Sequence, residues 1–405
     1  MRFAAFLAVT SAFLSATSVL AAGPDEDLKQ KFQQTILASR HVVEVQGNSL
    51  KGAGGILLQQ RAASADFVLI GEEHGVATIA DTVRFYFSDI APLGYRHFAI
   101  ETDPYMAERL ETQLRAGGLK GLARFLAPEE ARLSMPFYSW AAEAQLAESV
   151  VRRRAGSEPV LWGLDQVFIG AVGLLLRDVA QQSKLQDAKS IARGLADQAK
   201  GDLEFLGKVD LKQLETLKGL LSAGGEASLA QLIDDMIVSA GIYAPFVGRE
   251  GVSVYQANLQ REQLMKSTFM NRYVKSGRPK VVFKFGANHL TRGLSPVNVP
   301  SLSSFVHEFA LTEGKRVFSL LILCGPGTKA GGFQGEISNC DMDVTKEIPE
   351  IASHLDPMQP TLFDLAGWKD RPKRWEHLSE AMRRLLWGYD AVMIIPNGKP
   401  AQALK

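Results

Sequence analysis

The chemistry-bearing residues of this chain cluster at four places where an apolar run ends in a polar turn. Phe67-Val68-Leu69-Ile70 runs into Gly71-Glu72-Glu73-His74-Gly75, and His97-Phe98-Ala99-Ile100 into Glu101-Thr102-Asp103-Pro104. Pro159-Val160-Leu161-Trp162 runs into Gly163-Leu164-Asp165-Gln166, and Val281-Val282-Phe283-Lys284-Phe285 into Gly286-Ala287-Asn288-His289. An imidazole held by a carboxylate can act as a general base on water near neutral pH. Glu101 or Glu72 would orient His74 and stabilise its cation, as the acid does in a hydrolase triad. His289 would donate to a developing oxyanion or protonate a leaving group. A Gly-x-Ser-x-Gly elbow is absent, so water is the simpler nucleophile. The set His74, Glu72, Glu101 and His289 is also a legitimate transition-metal donor group. Residue types alone do not separate the two chemistries.

Each cluster has a structural explanation as well. Carboxylates after a strand suit the positive end of a following helix, and Thr102 or Asp103 before Pro104 is a good helix start. Asp165 can cap a turn, and His289 can be a satisfied core histidine. Capping does not call for histidine at two of the four strand ends, and their agreement favours one shared site. A further polar element, Arg261-Glu262-x-x-Met265, lies in a helical pattern from Tyr255 to Tyr273. Its ordinary outcome is a solvated charge pair. The functional reading puts Arg261 in the crevice, binding a carboxylate or a substrate carbonyl. Glu73, Asp165, Arg261, Asn288 and Arg292 are the candidate substrate-binding groups.

The elements that must position these residues follow from the same runs. Together with Val317–Leu323 and Ala391–Ile395 they are short, nearly continuous in apolar residues, and separated by helical patterns. That predicts an α/β fold with a mostly parallel sheet flanked by helices. Ligands of such sheets bind outside the carboxyl ends of the strands, where residues distant in sequence become neighbours. The connections predict helical insertions at about 104–155 and 168–277. In the longer one, Leu211, Leu214, Leu217 and Leu221 share a face, and Leu229, Leu232, Ile233, Met236 and Ile237 repeat at helical spacing. Gly224-Gly225 divides the two. This stretch reads as a helical subdomain that roofs the strand ends.

Met1-Arg2, the uncharged apolar run Phe3–Leu20 and the small residues around Ala21-Ala22 form the pattern of a secretory signal peptide over residues 1–22. The expected mature domain is 23–405, in the periplasm or outside the cell. No later stretch of the sequence is long and apolar enough to span a membrane. Cys324 and Cys340 are the two cysteines, and an oxidising compartment would let them pair across a Gly/Pro-rich loop. A formal charge of +1 with interspersed charges gives no nucleic-acid footprint. The expected partner is a small-molecule substrate or ligand.

Gly71-Glu72-Glu73-His74-Gly75, Glu101 after a strand, Arg261-Glu262-x-x-Met265 and Asn288-His289 occur in the order found in the erythromycin esterase-like superfamily. That group also takes in haem-binding ChaN-like proteins and resembles the Tiki/TraB hydrolases. The resemblance spans roughly residues 65 to 295. It implies an α/β core with a helical insertion and a polar cleft. It also implies His74 as the base that activates water, Glu101 as its support, and Glu72, His289 and Arg261 as matching site residues. The esterase pattern has one more residue between its first glutamate and its histidine. The Gly-Glu-x-His spacing here is closer to the ChaN-like proteins, which keeps two implied alternatives: a non-catalytic haem- or metal-binding protein of ChaN-like type, and a metal-dependent hydrolase or protease of Tiki/TraB-like type. The primary expectation is a hydrolase of an ester or related bond that needs no cofactor.

Overall fold

The computed structural model describes residues 33–405 apart from 155, 157, 250, 252, 332–335 and 370–377. The leader expected over residues 1–22 lies outside the described residues.

The strands are β1 (Arg40–Val42), β2 (Glu44–Gln46), β3 (Ser49–Lys51), β4 (Phe67–Glu72), β5 (His97–Ile100), β6 (Leu161–Gly163), β7 (Val281–Gly286), β8 (Val317–Cys324), β9 (Thr328–Gly331), β10 (Glu336–Asn339), β11 (Thr361–Asp364) and β12 (Ala391–Ile395). Eight of them form one sheet in the order β1-β11-β12-β8-β4-β7-β5-β6. From β12 to β6 every pairing is parallel, so the carboxyl ends of β4, β5, β6 and β7 lie along one edge. β11 and β1 continue the other flank antiparallel. The expected α/β, mostly parallel architecture is what the chain adopts.

The sheet is buried on both faces, and β4 shows the alternation that strand geometry requires. Phe67 and Leu69 join Phe283, Phe285, Phe269 and Tyr273 on one face. Val68 and Ile70 join Phe98, Val282 and Ile322 on the other. Helices Ala77–Ile90, Pro104–Leu126 and Ala141–Val151 cover the second face. Helix Val254–Lys275 covers the first, through Met265, Phe269 and Tyr273. Burying side chains of this size stabilises by roughly 1.5–3 kcal/mol each.

Between β6 and β7 the described chain is helical, including Val172–Gln182, Gln186–Gln198, Leu211–Ala223 and Ala227–Tyr243. Leu214, Leu217, Leu221, Ile233 and Met236 are buried there, as their spacing predicts. Among the described residues three helices fill the connection between β5 and β6. No helix among the described residues is long and apolar enough to cross a membrane.

Two tethers close the site end of the sheet. Cys324 at the end of β8 is bridged to Cys340 just after β10, as expected, and this fastens the β9–β10 hairpin. Residues 399–404 form a strap between two loops. The Ala77 amide donates to Lys399 O and the Ala401 amide to Gly75 O, both at 2.8 Å. Further along, the Ala141 amide donates to Gln402 O and the Leu404 amide to Ser139 O, again at 2.8 Å.

Candidate active site

β4 delivers Glu72 at its last position, and the chain then turns through Gly75. That glycine has φ +83, and a Cβ there would sit 2.0 Å from Ala330 O, so the turn is shaped by its fit under the hairpin. The following helix, Ala77–Ile90, has Val76 as N-cap with no side-chain cap. Glu72, Glu73 and His74 are therefore not capping residues. Asp103 is: its Oδ1 accepts from the Met106 amide at 2.8 Å, and burial pushes its carboxyl up to about 7.

His74 is held by both ring nitrogens. Its Nδ1 lies 3.0 Å from Glu72 Oε1 and its Nε2 lies 3.3 Å from Glu101 Oε2. Burial disfavours the imidazolium, but the charge and hydrogen bond of Glu101, and then those of Glu72, outweigh it and raise its pKa to about 10. Gly286 stands against this contact, since a Cβ on it would lie 2.6 Å from His74 Nε2.

Glu101 is the hub of the cluster. Its Oε2 accepts from the Gly286 amide at 2.7 Å, and its Oε1 faces Arg261 Nη2 at 3.2 Å and His289 Nε2 at 3.4 Å. Burial works against its charge, yet His289 and His74 hold its pKa well below the usual carboxylate range. Arg261 in turn grips Asp165, with Nε 2.9 Å from Oδ1 and Nη2 2.5 Å from Oδ2. Such a paired arrangement is the strong form of an arginine–carboxylate bond. His289 is buried and bonds Glu262 through Nδ1 at 2.7 Å. Against burial and the Arg261 charge, Glu101 and Glu262 raise His289 to about 9. Glu262, whose ordinary outcome was a solvated pair with Arg261, is instead 1 % exposed.

His74, Glu72, Glu101, His289, Asp165 and Arg261 are thus brought together from β4, β5, β6, β7 and helix Val254–Lys275. Other expected residues lie elsewhere. Glu73 accepts from the Asp341 amide and lies 3.6 Å from Lys329, under the disulfide-tied hairpin. Neighbouring residues at a strand end point opposite ways, so Glu72 and Glu73 cannot share one cluster. Asn288 is exposed and, with Arg292, lines a separate cavity of about 1040 Å³ floored by Leu321, Leu323 and Leu385. Arg292 bonds Asp390 at 3.1 Å and His307 at 2.6 Å.

Three groups near His74 were not anticipated. Lys284 Nζ lies 2.5 Å from Glu72 Oε1 and 2.8 Å from Glu143 Oε1, with all three side chains buried. A lysine within an otherwise apolar strand was the available signal. Glu143 comes from helix Ala141–Val151, and only the tertiary fold places it there. Burial raises its pKa, Glu72 adds to the rise, and Lys284 opposes it. Phe137 stacks on His74 with ring centres 4.1 Å apart and planes 17° from parallel.

The donor set is already satisfied by its own ion pairs and does not suit a metal ion. Among the described residues no group of three or more His, Cys, Asp or Glu could hold a metal ion. Both nitrogens of His74 and of His289 already face carboxylates, and the carboxylates face Lys284 and Arg261.

No protein-family model matches the chain, and no match was found among curated proteins. Solved structures do match. A succinoglycan biosynthesis protein has a TM-score of 0.65 at 12 % identity, covering 94 % of this chain and 99 % of that one. A Bacillus cereus protein gives 0.63 at 13 % identity, covering 93 % and 99 %. A mutant of the erythromycin esterase EreC, in its open conformation, gives 0.60 at 14 % identity, covering 90 % and 99 %. At these identities the shared property is the fold, and the chain is an α/β protein with the architecture of the erythromycin esterase EreC.

Proposed function

We propose that the chain is an exported hydrolase that uses His74 to activate water against an ester or related carbonyl bond. The observation that carries this reading is the grip of Glu72 and Glu101 on the two nitrogens of a partly exposed histidine. Arg261 and His289 stand on the far side of Glu101. The leader pattern of residues 1–22 and the Cys324–Cys340 bridge support export.

In the resting site Glu101 and Glu72 favour the imidazolium form of His74, and a cation is no base. Glu101 is the largest influence keeping it charged, and their contact is the longer of the two at 3.3 Å. Lys284 neutralises much of Glu72. When Glu101 turns to Arg261 and His289 and a water enters beside His74 Nε2, the imidazolium loses what holds its second proton, and the Nε2 proton passes to bulk solvent, leaving a neutral ring whose Nδ1–H stays on Glu72. Nε2 then takes a proton from the water as its oxygen bonds to the carbonyl carbon. The carbonyl π electrons pass to oxygen, while Arg261 and His289 hold Glu101 turned away from Nε2. Collapse breaks the bond to the leaving alkoxide, which receives the proton from His74 Nε2.

The test is a panel of carboxylic esters incubated with the purified protein after exhaustive chelator treatment. Turnover of at least one ester, unaffected by chelator, is expected. No turnover across the panel, or turnover abolished by chelator and restored by a divalent ion, rejects the reading.

A further inference from the structure

Phe137 has a backbone φ of +68. Bulky side chains take up this left-handed region only when their surroundings hold them there. Among the described non-glycine residues in that region it is the one aromatic. What holds it is visible. The Trp140 amide donates to Phe137 O at 2.9 Å, and the strap bonds Ser139 and Ala141 on one side and Gly75 and Ala77 on the other. The chain's strap therefore sets the distance between the His74 turn and the loop carrying Phe137.

The result is a ring laid flat on the imidazole. The Trp140 ring lies 5.8 Å from the Phe137 ring, tilted by 50°, and both residues are partly exposed. The carboxylates around His74 are nearly covered: side-chain exposure is 2 % for Glu72 and 9 % for Glu101, against 30 % for His74. A molecule that reaches His74 therefore meets Phe137. A carbonyl carbon attacked by water at His74 Nε2 has its acyl substituent one bond away, within the same few ångströms as the two rings.

We propose that Phe137, backed by Trp140, is the apolar wall that receives the acyl group of the substrate, so that the site prefers aromatic or bulky apolar carboxylic esters to short ones. This rests on the hydrolase reading for the position of the reacting bond, but the wall can be tested without turnover. Apolar rings stack on such a wall, whereas an acetyl group gains little from it.

The experiment is calorimetric binding of phenylacetate and of acetate, the two product-like acids, to the full chain, its Phe137→Gly variant and its Phe137→Leu variant. Both acids carry the same carboxylate, so the ratio of their affinities isolates the wall from any change at His74. The wild type is expected to favour phenylacetate by about tenfold or more. Phe137→Gly removes that preference, and Phe137→Leu keeps part of it. Glycine accepts φ +68 without strain, and this relief offsets part of the packing and chain entropy that the substitution costs. Should it unfold, a reduced preference in folded Phe137→Leu still supports the wall, and an undiminished one overturns it. An equal preference in wild type and Phe137→Gly, or no preference in wild type, also overturns it. Ester turnover is scored separately. A Phe137-dependent preference without any hydrolysis leaves the wall and removes the hydrolase. Hydrolysis with an unchanged preference does the reverse.

Discussion

Lys284 and Glu72 form an ion pair of 2.5 Å inside the sheet edge, with side-chain exposures of 4 % and 2 %. The oxygen that Lys284 holds also faces His74 Nδ1. The pair therefore ties the interior of one sheet face to the histidine at the edge. Removing one partner of such a pair leaves an uncompensated buried charge. Lys284→Met is expected to destabilise the fold by about 3–5 kcal/mol in urea titrations. Glu143→Gln should cost far less, because Lys284 keeps Glu72 as its partner and no buried charge is left unpaired. Equal losses in the two variants would refute this assignment.

Gly286 tests positioning without touching a charge. Its alanine Cβ would sit 2.6 Å from His74 Nε2. Gly286→Ala should retain most of its thermal stability while losing about 10²-fold in turnover, the scale expected for a misplacement near 1 Å. Wild-type rates would show that the imidazole has room to spare.

Stability should depend on pH through His74 and His289. Their folded pKa values, about 10 and about 9, lie above the ordinary 6.5. Groups raised on folding contribute fully below the unfolded pKa and lose that contribution as pH rises through the folded one. The unfolding free energy should therefore fall between pH 6.5 and 10, and the fall should be smaller in His74→Gln. Glu101 works in the opposite sense: its lowered pKa contributes above the usual 4.5 and is lost in acid. Denaturant titrations at stepped pH measure both limbs, and parallel curves for wild type and His74→Gln would contradict the first.

The disulfide and the strap should matter in different ways. Cys324 and Cys340 are 16 residues apart, and closing a loop of that size is worth about 3 kcal/mol. Paired Cys→Ser changes should lower the melting temperature accordingly. Removing residues 399–405 deletes four backbone hydrogen bonds between the strap and two loops. At about 1 kcal/mol each, that loss is modest for the fold. It should still free the Phe137 loop, seen as faster proteolysis within residues 133–140. An unchanged cleavage rate would show that the strap does not hold it.

Much of the architecture was legible because six strands are nearly continuous apolar runs bounded by glycine, proline or a polar turn. β1 and β11 were not, because neither carries a continuous apolar run. The site was legible where a polar residue follows a strand end within three positions, as with His74, Glu101, Asp165 and His289. It was illegible where partners come from helix interiors. Glu143 and Glu262 look like ordinary helix-surface acids until the fold buries them against Lys284 and His289. Adjacency in sequence also misled. Glu73 sits beside two cluster residues and Asn288 beside one, yet each side chain lies away from the cluster, at the hairpin and at a separate cavity.

The central claim is that His74 supplies the base. The most direct measurement is kcat/KM on the best ester of the panel for wild type and for His74→Gln, with circular dichroism to confirm an unchanged fold. General-base loss predicts a fall of about 10²–10⁴-fold. A folded His74→Gln protein that hydrolyses the ester at the wild-type rate would contradict the account.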